Sequence, residues 1–120
     1  ALGLPVIAMA YPNAGSPGAT LHAVHAAAEL GAVLVQTHYT GSVESFLEVV
    51  RGCPVPVLVA GGPMASSPDA FLGMVRDAMA AGAGGVTAGR NLFQNPDPAR
   101  FAAQIANLVF AGAPRVATGG

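Results

Sequence analysis

Four short apolar runs alternate with four helical patterns along this chain, and that alternation restricts its fold more than any other feature. The runs are Leu4–Met9, Ala32–Gln36, Pro54–Ala60 and Gly85–Ala88. Each is nearly continuous in Val, Ile, Leu and Ala, the pattern of strands buried on both faces of a parallel sheet. The stretches between them carry helix start and stop signals. Ser16-Pro17, Ser67-Pro68 and Asp97-Pro98 each set a capping oxygen ahead of a proline suited to a first turn. Ser42 can cap the second helix, and Glu44 places an acid near its positive end. Gly31, Gly52, Gly82 and Gly112 stand where a left-handed residue would close each helix. Phe71, Met74, Val75 and Met79 share a core-facing helical spacing, as do Phe101, Ile105, Leu108 and Val109.

The resulting order is (βα)4, an α/β fold. Two architectures accommodate it. One is an open flavodoxin-type sheet, with strands reordered about a switch point. The other is half of a TIM (β/α)8 barrel, whose full length is about 250 residues. Composition favours the half-barrel. Hydrophobic residues make up 52% of the 120 and charged residues only 9%, against roughly 25% charged in ordinary soluble domains. A surface so poor in charge is expected to be covered, either by another subunit or by further chain. An unclosed barrel, with bare strand edges and uncovered inner side chains, has that need. Residues 1–112 read as one domain of four strand–helix units, and 113–120 as a frayed tail. The absence of an initiator methionine fits processing and a fragment equally.

The same composition narrows the partners. A net charge of −1 gives no electrostatic reason to expect nucleic acid or an anionic membrane. No apolar run reaches the roughly 18 residues that span a bilayer, and no charged region precedes an apolar stretch as in a signal peptide. With a single cysteine, Cys53, which reads as a packing residue, the expectation is a reducing cytoplasm. His22, His25 and Glu29 share helical spacing but lie in a helix body. The ordinary reading is a solvated face, and neither a metal nor a cofactor is expected.

In parallel α/β folds chemistry gathers at the carboxyl ends of the strands. Those ends read Tyr11-Pro12-Asn13, Gln36-Thr37-His38-Tyr39-Thr40-Gly41, Gly61-Gly62-Pro63 and Gly89-Arg90-Asn91. Gly61 and Gly62 leave backbone N–H groups accessible, and Gly89-Arg90 adds a fixed cation just before a possible short helix. Backbone amides with a guanidinium suit a phosphate group. The competing reading is that these glycines only permit positive φ. Tyr11 carries a phenol able to move a proton or simply to sit as an interfacial aromatic. His38 is a residue type that can act as a base, placed two residues beyond the strand where it can face solvent.

Gly3-Leu4-Pro5-Val6…Met9-Ala10-Tyr11-Pro12, Val57-Leu58-Val59-Ala60-Gly61-Gly62-Pro63 and Gly85-Val86…Gly89-Arg90-Asn91-Leu92-Phe93-Gln94 together resemble one family. It is the archaeal-type class I fructose-bisphosphate aldolases, with aminodideoxyheptulosonate synthase and the autoinducer-2 phosphate thiolase as relatives. The resemblance runs over nearly the whole chain but covers only the second half of that family's barrel. It implies carbon–carbon bond chemistry on a phosphorylated sugar or keto compound, through a Schiff-base lysine. It also implies a phosphate site after the last two strands, here Gly61, Gly62, Gly89 and Arg90, and proton transfer at Tyr11.

Gln36 stands at the family's lysine position, followed by the preserved Thr37-His38-Tyr39 context. The chain has no lysine at all: its five basic residues are arginines. An imine needs a primary amine, whereas glutamine can only hydrogen-bond a carbonyl or hydroxyl. The chain departs from the family in two further places: Asn13 stands where arginine is common, and Met64 where lysine often follows Gly-Gly-Pro. The leading expectation is a half-barrel that binds a sugar phosphate but is inactive alone as a Schiff-base aldolase. Two alternatives stand beside it. One is an active enzyme, of altered chemistry using Tyr11 and His38 or completed by another chain. The other is a structural or interaction subunit without ligand. In each case a homo-oligomer or a complex with a missing half-barrel is expected.

Overall fold

The computed structural model describes residues 5–11, 17–61 and 66–112. Its elements are β1 (Ile7–Met9), α1 (Pro17–Glu29), β2 (Leu34–His38), α2 (Val43–Arg51), β3 (Val57–Ala60), α3 (Pro68–Ala80), β4 (Gly85–Thr87), α4 (Arg90–Phe93) and α5 (Pro98–Gly112). All neighbouring strands pair in parallel, in the order β1-β2-β3-β4. That sequential order contains no switch point, so the flavodoxin-type alternative falls away. Successive right-handed crossovers then carry the connecting helices α1, α2 and α3 to one face of the sheet, where α5 joins them. Accordingly α1 packs on α2, α2 on α3, and α3 on α5, in a single layer.

The expected helix starts are largely present. Ser42 Oγ accepts from the Ser45 N–H at 3.1 Å, Ser67 Oγ from Ala70 N–H at 3.1 Å, and Asp97 Oδ1 from Arg100 N–H at 3.2 Å. Ser16 lies outside the described residues. The stops are only half as expected. Gly31 and Gly82 take φ of 97° and 98°, but Gly52 is right-handed at −79° and Gly112 is the last residue of α5. Gly52 is glycine for a different reason. A Cβ there would meet the tip of the Leu21 side chain, which fills that space where α1 packs on α2 and would have to shift.

The core lies between the sheet and the helix layer. Val35, Thr37, Val57 and Val59 point into it from the strands, and Val24, Phe46, Val49, Phe71 and Val75 from the helices, all essentially fully buried. Phe101 and Ile105 join it, with the Phe71 and Phe101 rings 5.8 Å apart at 47°. Met79 is buried, Met74 packs against the core's edge, and Cys53 is a buried free thiol. No helix among the described residues is long and apolar enough to cross a membrane.

The strand boundaries differ from the apolar runs in an informative way. β2 runs two residues beyond Gln36, because Thr37 and His38 pair with Val59 and Ala60. With a side-chain period of two, Val35 and Thr37 face the helices while Gln36 and His38 take the uncovered face. A polar residue costs little there, so the strand outlasts its hydrophobic signal. β3 starts only at Val57, after Pro54 and Pro56, which have no N–H to give a ladder.

Tyr39 follows β2 and turns toward α2, its ring 5.3 Å from Phe46. Its hydroxyl is buried with no hydrogen-bond partner among the described residues. Burial, with Asp77 and Glu44 adding to it, raises the phenol above its ordinary range. The neutral phenol is therefore favoured by folding, so its contribution is intact below about pH 10, the unfolded value. It is lost as the pH rises from there through the folded value. Tyr39→Phe is expected to abolish that alkaline loss and, by removing an unpaired buried hydroxyl, to leave neutral-pH stability unchanged or up to about 1 kcal/mol higher. Urea midpoints at pH 7 and above pH 10 measure both effects; a clear loss at pH 7 would mean the hydroxyl is bonded.

Candidate functional site

The sheet's uncovered face carries Gln36, His38 and Thr87 among apolar neighbours. One row across it is Met9, Gln36, Leu58 and Gly85; two residues further toward the strand ends come His38, Ala60 and Thr87. Two bonds fix the chain leaving β1 against β2. Ala10 N–H donates to the Gln36 carbonyl at 2.8 Å, and buried Thr37 Oγ1 donates to the Ala10 carbonyl at 2.6 Å. Tyr11 is thereby held over the end of β2. Its hydroxyl accepts a hydrogen bond from Gln36 Nε2, and its ring stacks on the His38 imidazole with centroids 4.3 Å apart at 24°.

On the other side, Gly61 N–H donates to the Thr87 carbonyl at 2.6 Å and ties the end of β3 to β4. A Cβ at Gly61 would lie 3.0 Å from that carbonyl oxygen and 3.2 Å from Phe71 Cε2, so close approach explains this glycine. Gly89 meets nothing within 4 Å at its Cβ position, and its φ is −115°. Neither glycine is needed for positive φ, contrary to the simplest reading of the sequence. Arg90 is exposed as the first residue of the short α4, and so belongs to the anticipated helix instead of preceding it.

These groups share one cavity of about 400 Å³, lined by Tyr11, Gln36 and His38 on one side and by Ala60, Gly61, Thr87, Ala88, Gly89 and Arg90 on the other. Among the described residues lining it there is a fixed cation but no carboxylate. A second depression of about 420 Å³ lies along β4 and α5 and is lined only by apolar residues and glycine. The chemistry belongs to the first. Of the six residues singled out from sequence, Tyr11, Gln36, Gly61, Gly89 and Arg90 line it, while Gly62 lies outside the described residues, as do Asn13 and Met64. His38 belongs to β2 itself instead of following it, and its stack on Tyr11 had no sequence signal. Thr87 was missed too, although its place at the end of the fourth run could have suggested it. His25 and Glu29 form a surface pair on α1, Nδ1 to Oε1 at 3.7 Å, away from the cavity.

Four sequential parallel strands, helices on one face and a polar cavity at the strand ends define half of a (β/α)8 barrel with its site on the inner face. Residues 1–95 match the DeoC/LacD family aldolases. The chain belongs to that family. It is 43% identical over 112 residues to a 2-amino-4,5-dihydroxy-6-oxo-7-(phosphonooxy)heptanoate synthase of Streptomyces griseus, covering 88% of this chain and 41% of the relative. It is 46% identical over 115 residues to the 2-amino-3,7-dideoxy-D-threo-hept-6-ulosonate synthase of Halobacterium salinarum, covering 90% and 42%. An archaeal fructose-1,6-bisphosphate aldolase, solved with its catalytic Lys covalently bound to the carbinolamine intermediate of the substrate, superposes with a TM-score of 0.85 at 34% identity. That match covers 91% of this chain and 46% of the aldolase. The chain thus spans less than half the length of the relatives it matches.

Proposed function

We propose that this chain is a sugar-phosphate-binding half-barrel of the class I aldolase type in which Schiff-base catalysis has been lost with the lysine. In this reading Gly61, Gly62, Gly89 and Arg90 hold the phosphate, while Gln36 and Tyr11 face the carbonyl end of a phosphorylated sugar or keto compound. The supporting observation is the single cavity in which a Gln36–Tyr11 hydrogen bond faces Gly61, Gly89 and Arg90. The relatives point the same way, since a phosphonooxy carbonyl compound and fructose 1,6-bisphosphate appear in their names. Gln36 can donate to a substrate oxygen but has no amine to attack a carbonyl.

Calorimetric titration with dihydroxyacetone phosphate or fructose 1,6-bisphosphate tests the site. Binding is expected to weaken as competing anions rise, and Arg90→Ala to cost about 1.5–3 kcal/mol of binding free energy, the worth of a charged hydrogen bond. Folded protein with no phosphate-ester affinity would sink this reading and leave a structural subunit. A second reading has one observation in its favour, the His38 imidazole stacked on Tyr11 inside the cavity. That pair could move a proton at a carbon beside a bound carbonyl without any imine. Solvent-deuterium exchange into bound dihydroxyacetone phosphate, lost in both Tyr11→Phe and His38→Ala, would favour it over a binding-only role.

A further inference from the structure

The hydroxyl of Thr87 is not used by the fold. Thr87 closes β4, and the register sets it across from Ala60, which pairs in turn with His38. Its side chain therefore stands on the uncovered face and borders the polar cavity. It is half-buried there, and its hydroxyl bonds to no described residue. The other described threonines are engaged. Thr37 Oγ1 donates to the Ala10 carbonyl at 2.6 Å, Thr40 Oγ1 lies 2.7 Å from Ser45 Oγ, and Thr20 has a partner as well. Strand formation does not require the hydroxyl either, because valine serves at Val57, Val59 and Val86 in β3 and β4. A half-buried hydroxyl without a partner is costly unless water or a ligand supplies one.

Gly89, two residues on, is demanded neither by the backbone nor by packing. Its φ is −115°, and a Cβ there would meet nothing within 4 Å. The missing side chain leaves open space in the cavity wall that Thr87 and Arg90 share. Gly61, by contrast, offers the cavity one donor fewer than its sequence context suggests, since its N–H is already given to the Thr87 carbonyl at 2.6 Å. We propose that the Thr87 hydroxyl supplies that donor, giving its proton to a phosphate oxygen in the space beside Gly89 while Arg90 carries the opposing charge. A hydroxyl beside a guanidinium suits a tetrahedral anion, whose oxygens accept bonds in several directions. The Gly61 bond holds the Thr87 peptide, so the hydroxyl is presented from a fixed strand end. This role for Thr87 rests on the phosphate reading and alters it in one respect. Thr87 takes the donor role given to Gly61, and Gly61 instead ties the end of β3 to β4.

Calorimetric titration of the 120-residue chain with inorganic phosphate and with dihydroxyacetone phosphate tests the assignment. Thr87→Val keeps the shape and the strand preference but removes the hydroxyl. It should weaken both ligands by the same factor, about 10- to 100-fold, as expected for a hydrogen bond to a charged group. Thr87→Ser keeps the donor and should stay within about three-fold of the parent for both. Unchanged affinity in a folded Thr87→Val protein overturns the proposal. A loss confined to dihydroxyacetone phosphate overturns it too, by placing the hydroxyl against the carbon chain. So does a loss in Thr87→Ser as large as that in Thr87→Val. If Thr87→Val fails to fold, the unaltered chain decides. Across a phosphate titration its Thr87 methyl and Arg90 Nε–H resonances should move together along one saturation curve, and a Thr87 methyl that stays still rejects the contact. A folded parent that binds neither compound rejects the phosphate reading and this assignment with it; parent binding that Thr87→Val leaves intact rejects the hydroxyl alone.

Discussion

Phe71→Ala is expected to destabilise the fold by about 3–5 kcal/mol, the usual cost of emptying a buried phenylalanine site. The ring is 1% exposed, and packs on Phe101 across the α3–α5 contact. Total stabilities are only about 5–15 kcal/mol, so this one change removes a large fraction of the margin. The effect should also reach the site. Phe71 Cε2 lies 3.2 Å from where a Gly61 Cβ would be, so the ring backs the end of β3. Loss of that backing should weaken phosphate binding beyond what unfolding explains. Denaturant midpoints at one fixed protein concentration measure the stability term, since association shifts apparent stability. Phe93→Ala, at a 76% exposed position, should change it by no more than about 0.5 kcal/mol. Equal losses in the two variants would mean that Phe71 does not anchor the core.

The four strand–helix units were legible because parallel strands announce themselves as apolar runs and helices as capped, periodic segments. Ser42, Ser67 and Asp97 cap as their sequence context indicates. The strand ends could be ranked as the site because the fold class fixes where loops converge. Sheet order could not be read. A run such as Val57–Ala60 says that it is buried, not which strands flank it. The end of β2 was hidden for a related reason: Thr37 and His38 look like loop residues until the uncovered face is known to tolerate polarity. Gly52 and Gly61 show a third limit. Their sequence context suggests backbone freedom, but what crowds them is packing against Leu21 at Gly52 and against Thr87 and Phe71 at Gly61, residues that lie elsewhere in the chain. Those contacts exist only once the fold has formed.

Borohydride reduction in the presence of dihydroxyacetone phosphate or pyruvate is expected to leave no substrate-sized adduct on any side chain. Imine formation requires a primary amine, and none of these 120 side chains carries one, since all five basic residues are arginines. Intact-mass measurement with peptide mapping separates side-chain adducts from reaction at a terminal amine, and a side-chain adduct would overturn the proposed loss of Schiff-base chemistry. Gln36→Lys supplies the converse. Gln36 lies half-buried on the inner face, its amide against the Tyr11 hydroxyl, in the cavity that holds Arg90. An amine at that position would meet the same phenol and face Arg90 across the cavity. Partial burial and a cation facing it across the cavity both disfavour the charged ammonium, which lowers an amine's pKa and makes it more nucleophilic near neutral pH. The variant is therefore expected to gain a trappable adduct absent from the parent chain. Failure of a folded, phosphate-binding Gln36→Lys protein to gain it would mean that residue 36 does not face the substrate carbonyl, whatever its place in the strand.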